Sequence, residues 1–321
     1  MSASSEFKIV FQEKTLEDIY FSSVKFHCAI GIDRVNTKAF ENNLKNNIKI
    51  ILNKSRNGTY SFSQFREKLL SRGAERYPRV ISIPTIRDKL VLKALFEILY
   101  SVYGADSPFL HKIVNEVAKG VSKKGFDGVL RLDVKDFYPS IRHDLLMKLV
   151  SKKIRKKEVL HLISNAISQQ TVSKASSKNK TYNTKGVPQG LSISNILANV
   201  YMQPIDRKYQ GRTSLLYFRY VDDILILCDQ KKTEKIKKEI INDCNRIGLV
   251  LHADDPAKIC TGKICSGFSY LGYVFNDSLV TVRKKSLDNL RESIIKILTN
   301  YDGLVKSIPV SLTTLYAWSS P

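Results

Sequence analysis

Three aspartates carry the strongest chemical signal in the chain. Asp133 stands in LDVKDFYPSI, where a short apolar run enters a polar turn, and Asp222 and Asp223 stand side by side in SLLYFRYVDDILILCD, between two β-prone runs. Carboxylates brought within about 4 Å repel by roughly 4 kcal/mol at an effective dielectric near 20, so such a trio gathers only for a reason. Hard divalent cations supply one. Mg²⁺, or Mn²⁺ in its place, takes oxygen ligands, keeps several waters and shares its remaining positions with phosphate oxygens. Two such ions about 3.5 to 4 Å apart support an in-line displacement at phosphorus, with pyrophosphate as the leaving group. Taken singly, each signal has a plainer reading: Asp133 could cap the helix that follows it, and an Asp-Asp pair could be a solvated hairpin turn.

The company of these residues narrows the choice. An aromatic, Tyr138, follows Asp133 five positions on; GVPQG then opens a helical stretch; the paired aspartates come next; Lys258 lies in HADDPAKIC beyond an amphipathic segment; and SYLGY closes the series. Gly186, Pro188 and Gly190 mark a turn at the head of that helical stretch.

The elements that must position them are legible from periodicity. RDKLVLKALFEILYSVYG places Leu90, Val91, Ala94, Leu95, Ile98, Leu99 and Val102 on one helical stripe, with Gly104 as a stop. After GVPQG, Ile193, Ile196, Leu197, Val200 and Tyr201 resume helical spacing, and Pro204 is expected to kink or end that helix. The two runs flanking Asp222 and Asp223 predict a β-hairpin. KKTEKIKKEIINDCNRIG predicts a helix burying Ile236, Ile240, Cys244 and Ile247, and FSYLGYVF reads as strand. SLDNLRESIIKILTN carries Leu287, Leu290, Ile294 and Leu298 on one face and reads as a closing helix. Residues 1–78 are basic and mixed in pattern, and SKASSKNKTYNTK is loop-like.

Charge points to the partner. The 321 residues hold 52 Lys plus Arg against 30 Asp plus Glu, a formal net charge of +22, which calls for a polyanion such as nucleic acid. An anionic membrane surface fits less well, because no apolar run approaches the roughly 20 residues of a spanning helix and MSASSEFKIVF does not read as a signal peptide. The five cysteines, Cys28, Cys228, Cys244, Cys260 and Cys265, are odd in number and scattered, which suits a reducing interior.

In this order the segments resemble the palm of reverse transcriptases, from about Arg79 to Leu287. LDVKDFYPSI is similar to the first catalytic motif, GVPQGLSISNILANVYM to the second, YVDD to the third, the Lys258 region to the fourth and SYLGY to the fifth. RVISIPTIRDKLVLKAL resembles the fingers segment upstream.

The resemblance implies an α+β right-hand polymerase fold: fingers over 1–125 with fingertip strands near 79–86, a palm over 126–275 built as an antiparallel sheet backed by helices, and a small helical thumb over 276–321. Part of 150–190 could belong to the fingers. It implies RNA-directed DNA synthesis with two Mg²⁺ ions (Mn²⁺ as a substitute) held by Asp133, Asp222, Asp223 and the Val134 carbonyl. Tyr138 falls at the steric gate that excludes a ribose 2′-hydroxyl, or else is a plain core aromatic. Gln189 matches the position that contacts nucleotide and primer-template. Arg79 and Arg87 match the triphosphate grip, with pairing to Asp88 or a helix terminus the other reading of Arg87. Lys258 matches the general acid for departing pyrophosphate, or is a surface lysine.

Implied partners are an RNA template, structured and non-coding, a DNA or RNA primer, dNTPs, and a protein partner or second copy to support a short thumb. No membrane is implied, and the location is the bacterial cytoplasm. The motif style resembles the bacterial retron, group II intron and antiphage-defence branches, although Val280-Thr281-Val282 lacks the glycine of the retron VTG motif. Template-independent or protein-primed synthesis within the defence branch, and a non-catalytic RNA-binding scaffold with a palm fold, are the alternative functions.

Overall fold

The computed structural model describes residues 2–299 apart from 28, 72, 74–76, 105–109, 124, 175–181, 253–258, 277 and 278. Helices α1 (Ala3–Val10), α2 (Glu13–Ile19), α3 (Thr37–Glu41) and α4 (Leu44–Arg56) precede strands β1 (Phe65–Leu70) and β2 (Arg79–Ile83). Helices α1, α2 and α4 pack against α5 (Ile86–Tyr103), the stripe-bearing helix read from the sequence, and α3 packs against α4. It starts where the Thr85 hydroxyl accepts the Asp88 amide and stops at Gly104, φ 75°. Leu90, Val91, Ala94, Leu95, Ile98 and Leu99 are fully buried. Each large apolar side chain so buried contributes about 1.5–3 kcal/mol, which makes α5 the axis of the amino-terminal half.

Next come α6 (Leu110–Ser122), β3 (Gly128–Lys135), α7 (Phe137–Ser140), α8 (His143–Ser151), α9 (Lys157–Ser168) and β4 (Thr171–Val172). Strand β1 pairs antiparallel with β2 and parallel with β4, so the short segment at 171–172 joins the amino-terminal sheet. The rest comprises α10 (Ser194–Gln210), β5 (Leu215–Tyr220), β6 (Asp223–Cys228), α11 (Thr233–Arg246), β7 (Val250–Leu251), β8 (Cys260–Lys263), β9 (Phe268–Tyr270), β10 (Tyr273–Phe275), β11 (Val280–Val282) and α12 (Lys284–Thr299).

The expected antiparallel sheet backed by helices is present. Its strand order is β5-β6-β3-β7, with β8 also paired to β3, so β3 has neighbours on both edges. Alternation along the strands divides the side chains between two faces. Leu130, Leu132, Ile224, Ile226 and Tyr217 join the main core with α10, and Val129, Leu225 and Leu227 join a second cluster with α6 and the β9–β10 hairpin.

The structure makes two expectations sharper. Of the kink or end expected at Pro204, the end does not occur, for α10 runs on to Gln210. A proline at this point costs one backbone hydrogen bond, and the turn beyond it is retained because Ile205 and Tyr209 are buried and Asp206 is ion-paired. The shared apolar face of α12 is not buried: Leu287, Leu290 and Ile294 are 51%, 53% and 48% exposed. The Leu298 side chain lies outside the described residues.

Candidate active site

The three aspartates meet at one end of the central sheet. In the antiparallel register Asp133 on β3 faces Asp223 on β6, and Tyr220 on β5 faces Asp223 from the other side. The next amide, that of Val134, donates to the Asp222 carbonyl at 3.1 Å, which makes Asp133 and Asp223 a non-hydrogen-bonded pair, the kind whose side chains stand closest. Asp222 lies in the two-residue turn between β5 and β6. Asp133, Asp222 and Asp223 are half-buried, and Val134 is buried. Among the described residues no three Asp, Glu, His or Cys side chains are grouped closely enough to hold an ion by themselves. The trio is therefore a facing pair with a third carboxylate beside it in the turn, not a closed cage.

The hairpin turn is made in an unusual way. Tight hairpins favour glycine or asparagine where φ is positive, yet here Val221 takes φ 56°. A β-branched residue in that region costs on the order of 1–3 kcal/mol and persists only where its surroundings impose it. Arg219 supplies part of that surrounding: its guanidinium donates to the Val221 carbonyl at 2.9 Å while pairing with Asp206 of α10.

Tyr138 sits in α7, the short helix after β3, 7% exposed, with its hydroxyl donating to Asn195 Oδ1 of α10 at 2.6 Å. Burial, reinforced by the negative charge of Asp222, pushes its phenol up to about 12, so the hydroxyl stays a donor at any physiological pH. The GVPQG turn is fastened to the same place. The Val187 amide donates to the Tyr138 carbonyl at 2.9 Å and the Gly186 amide to the Ile141 carbonyl at 2.7 Å. Gln189 accepts the Arg79 Nε–H through its side chain and the Ser82 amide through its carbonyl, at 2.7 Å for the latter. Gly190 takes φ 103°, and a Cβ there would lie 2.8 Å from Ile81 and 3.1 Å from the Ser82 carbonyl, so only glycine lets the turn lie flat on β2. A cavity of about 540 Å³ is lined by Arg79, Asp136, Lys185, Pro188 and Gln189 among others, next to Tyr138 in the chain.

Arg87 is elsewhere. Its guanidinium donates to Asn47 Oδ1 at 2.6 and 3.1 Å and lines a separate cavity of about 620 Å³ with Asn43, Asn46, Tyr60 and Asp88, none of the three catalytic candidates among them. Asp88 does not pair with it but is buried against the Tyr60 and Thr85 hydroxyls and the Ser63 amide. Lys258 lies outside the described residues.

Sequence reasoning missed four residues. His252 follows β7, whose pairing with β3 brings its Nε2 within 3.4 Å of Asp133 Oδ2. Arg219, Asp206 and Asn195 were also overlooked. The available signal was an arginine inside the apolar run LLYFRY, where a lone charge must find a partner.

Comparison with known proteins decides the family, because residues 72–275 match the family described as reverse transcriptase (RNA-dependent DNA polymerase). The chain belongs to the reverse transcriptase family. It is similar to the group II intron-encoded protein LtrA of Lactococcus lactis subsp. cremoris, 24% identical over 270 residues covering 75% of this chain and 42% of that protein. Protein YkfC of Escherichia coli K12 is 21% identical over 292 residues, covering 76% of this chain and 74% of that one. Among solved structures, the telomerase of Candida albicans in complex with a TWJ fragment of telomeric RNA matches with TM-score 0.52 and 14% identity over 71% of this chain and 48% of that one. Apo telomerase of Candida tropicalis, truncated of its C-terminal domain, matches with TM-score 0.51 and 17% identity over 69% and 55%. These likenesses give this reverse transcriptase-family chain a right-hand polymerase fold. The chain spans under half the length of LtrA and about half of the telomerase chains.

Proposed function

We propose that this chain is an RNA-directed DNA polymerase that adds deoxynucleotides to a primer 3′-hydroxyl. The observation that carries the reading is the register of Asp133 against Asp223 with Asp222 in the adjoining turn, inside a region that matches the reverse transcriptase family. The residues suit Mg²⁺, which takes one or two carboxylates and fills its other positions with water and substrate phosphate, so an open facing pair fits it better than a closed cage. Asp133 and Asp222 are the proposed direct ligands, with Asp223 and the Val134 carbonyl assisting. Two bound ions would supply Lewis-acid chemistry for the in-line displacement.

The chain's own groups do the rest. Tyr138, held by Asn195, presents its ring beneath the incoming sugar and refuses a 2′-hydroxyl. Arg79, already engaged with Gln189, offers its fork to triphosphate oxygens, and Gln189 then contacts nucleotide and primer-template. Arg87 is bound to Asn47 in the other cavity and acts as a support of the fingers. Lys258 is the proposed proton donor to pyrophosphate. The lobes follow as fingers before about residue 126, palm to 275 and a short thumb beyond, with β4 belonging to the fingers sheet. The +22 charge supports an RNA template and its duplex with product DNA as partners. The physiological setting we propose is a bacterial antiphage-defence or retron-like system served by a structured RNA. Among the described residues no helix is long and apolar enough to cross a membrane.

Primer extension on RNA tests the activity. Purified protein, primed RNA, dNTPs and Mg²⁺ should yield complementary DNA, and Asp222→Asn should yield none. Equal product from the variant, or none from the wild type on any primed RNA, overturns the reading. Sequencing the RNA that co-purifies tests the setting: one structured RNA supports it, and bulk cellular RNA contradicts it.

A further inference from the structure

Arg219 is a charged residue held inside the protein, its side chain 8% exposed, and every polar contact it makes leads to one of two places. Toward α10, Nε and Nη2 donate to the two carboxylate oxygens of Asp206 at 2.8 and 2.7 Å, and Nη1 donates to Asn199 Oδ1 at 3.3 Å. Toward the hairpin, the same Nη1 donates to the Val221 carbonyl at 2.9 Å. Asp206 is itself fixed, for the Tyr217 hydroxyl donates to its Oδ1 at 2.9 Å and its side chain is 15% exposed. Asn199 and Asp206 are two turns apart on one face of α10, and Asn195, which holds Tyr138, lies one turn earlier on that face.

We propose that Arg219, anchored by Asp206, is a positioning residue that clamps the Tyr220–Asp223 turn in its positive-φ conformation and so sets Asp222 and Asp223 against Asp133. The proposal deepens the polymerase reading and rests on it for its catalytic meaning. Arg219 does not touch substrate. Residues alternate across the sheet, and Arg219 shares with Tyr217 the face toward α10, whereas Asp133, Asp223 and Tyr220 share the opposite face. What it touches is the carbonyl of the one turn residue whose backbone is strained, Val221 at φ 56°. A carbonyl turned inward by that conformation needs a donor, and a charged donor is the strongest. Only a planar fork can grip a carboxylate with two nitrogens and still reach a second acceptor, so lysine cannot replace it. Through α10 the gate residue and the carboxylate turn are then fastened to one rigid helix.

The test uses the full chain and removes both charges together, as Arg219→Met with Asp206→Asn, so that neither is left buried alone. Hydrogen–deuterium exchange of peptides spanning 219–223 reads the turn, and single-turnover incorporation and primer-template affinity read its consequence. The turn should exchange about tenfold faster or more. Incorporation should fall by about 10- to 100-fold, with primer-template Kd unchanged within about twofold, as misplacement of a reacting group does. Adding Val221→Gly should recover about tenfold of the loss, since glycine adopts positive φ without a clamp. A residue that serves only overall stability gains nothing from that glycine.

Unchanged exchange in the turn, or a loss that Val221→Gly leaves untouched, overturns the proposal. If the charge-free pair does not fold, Arg219→Lys decides by the same exchange measurement, expected fast and contradicting if slow. If the wild type makes no DNA, the polymerase reading fails while the exchange result still decides whether the clamp exists.

Discussion

Asp133 and Asp223 face each other directly across β3 and β6, in a pair whose backbones do not bond to one another and whose side chains therefore stand at their closest. Two like charges in that position weaken a sheet, and the arrangement makes sense where a cation is to come between them. From this follows a trade between stability and activity.

Asp223→Asn removes one of the opposed charges. In metal-free buffer its unfolding free energy should rise by about 0.2–1 kcal/mol. Mg²⁺-dependent extension should at the same time fall sharply. Chemical denaturation beside primer extension checks both, and a variant that is less stable in the absence of metal contradicts the cross-strand repulsion.

Tyr138 separates ring from hydroxyl. Tyr138→Phe keeps the ring and leaves only Asn195 Oδ1 without its donor, so sugar discrimination should persist. Tyr138→Ala should admit ribonucleotides with a gain in relative efficiency of about 10-fold or more, the scale on which one removed clash shifts specificity. Competition between dNTP and rNTP on one primed template measures it, and equal discrimination in the alanine variant places the gate elsewhere.

Gly190→Ala should disturb the GVPQG turn. The added Cβ meets Ile81 at 2.8 Å and the Ser82 carbonyl at 3.1 Å on a backbone at φ 103°. Loss of about 1–3 kcal/mol is expected from overpacking with strain, together with weaker dNTP binding as Gln189 shifts. Thermal unfolding and KM for dNTP read the two effects.

Asp88 gives a pH signature. Burial raises its carboxyl from 3.8 to about 6 despite the donors from Tyr60, Thr85 and Ser63. Between those values the folded chain keeps a proton that the unfolded chain has lost, so stability falls as pH rises through the window, by about 3 kcal/mol in total. Asp88→Asn removes that slope. The stability of the variant minus that of the wild type should climb from pH 4 to pH 6.5 and then level off, and a flat difference contradicts the burial argument.

Much of this site was legible because its signals are local. The stripe in α5, the β-prone runs around Asp222 and the glycines of GVPQG each report their own backbone, and the order of motifs supplied the fold. Arg219, Asp206 and His252 were not legible in the same way. An arginine reads as surface until a partner 13 positions earlier is brought under it by the turn from α10 into β5. Pro204 left a kink or an end open for a related reason: its local cost does not end the helix because Ile205 and Tyr209 are buried and Asp206 is paired beyond it, which only the packed helix reveals. Helix α12 is present as read, and its apolar stripe stands about half exposed, since periodicity shows that a face is apolar and not what covers it.

The most direct measurement is the binding of Mn²⁺, as a probe for Mg²⁺, to the protein with chain-terminated primer on RNA and the next dNTP, followed by electron paramagnetic resonance. The wild type should bind two ions showing the coupling of a pair about 3.5–4 Å apart, and Asp133→Asn or Asp222→Asn should abolish that coupled pair. A coupled pair that survives both substitutions contradicts the account, because the ions then sit on other ligands.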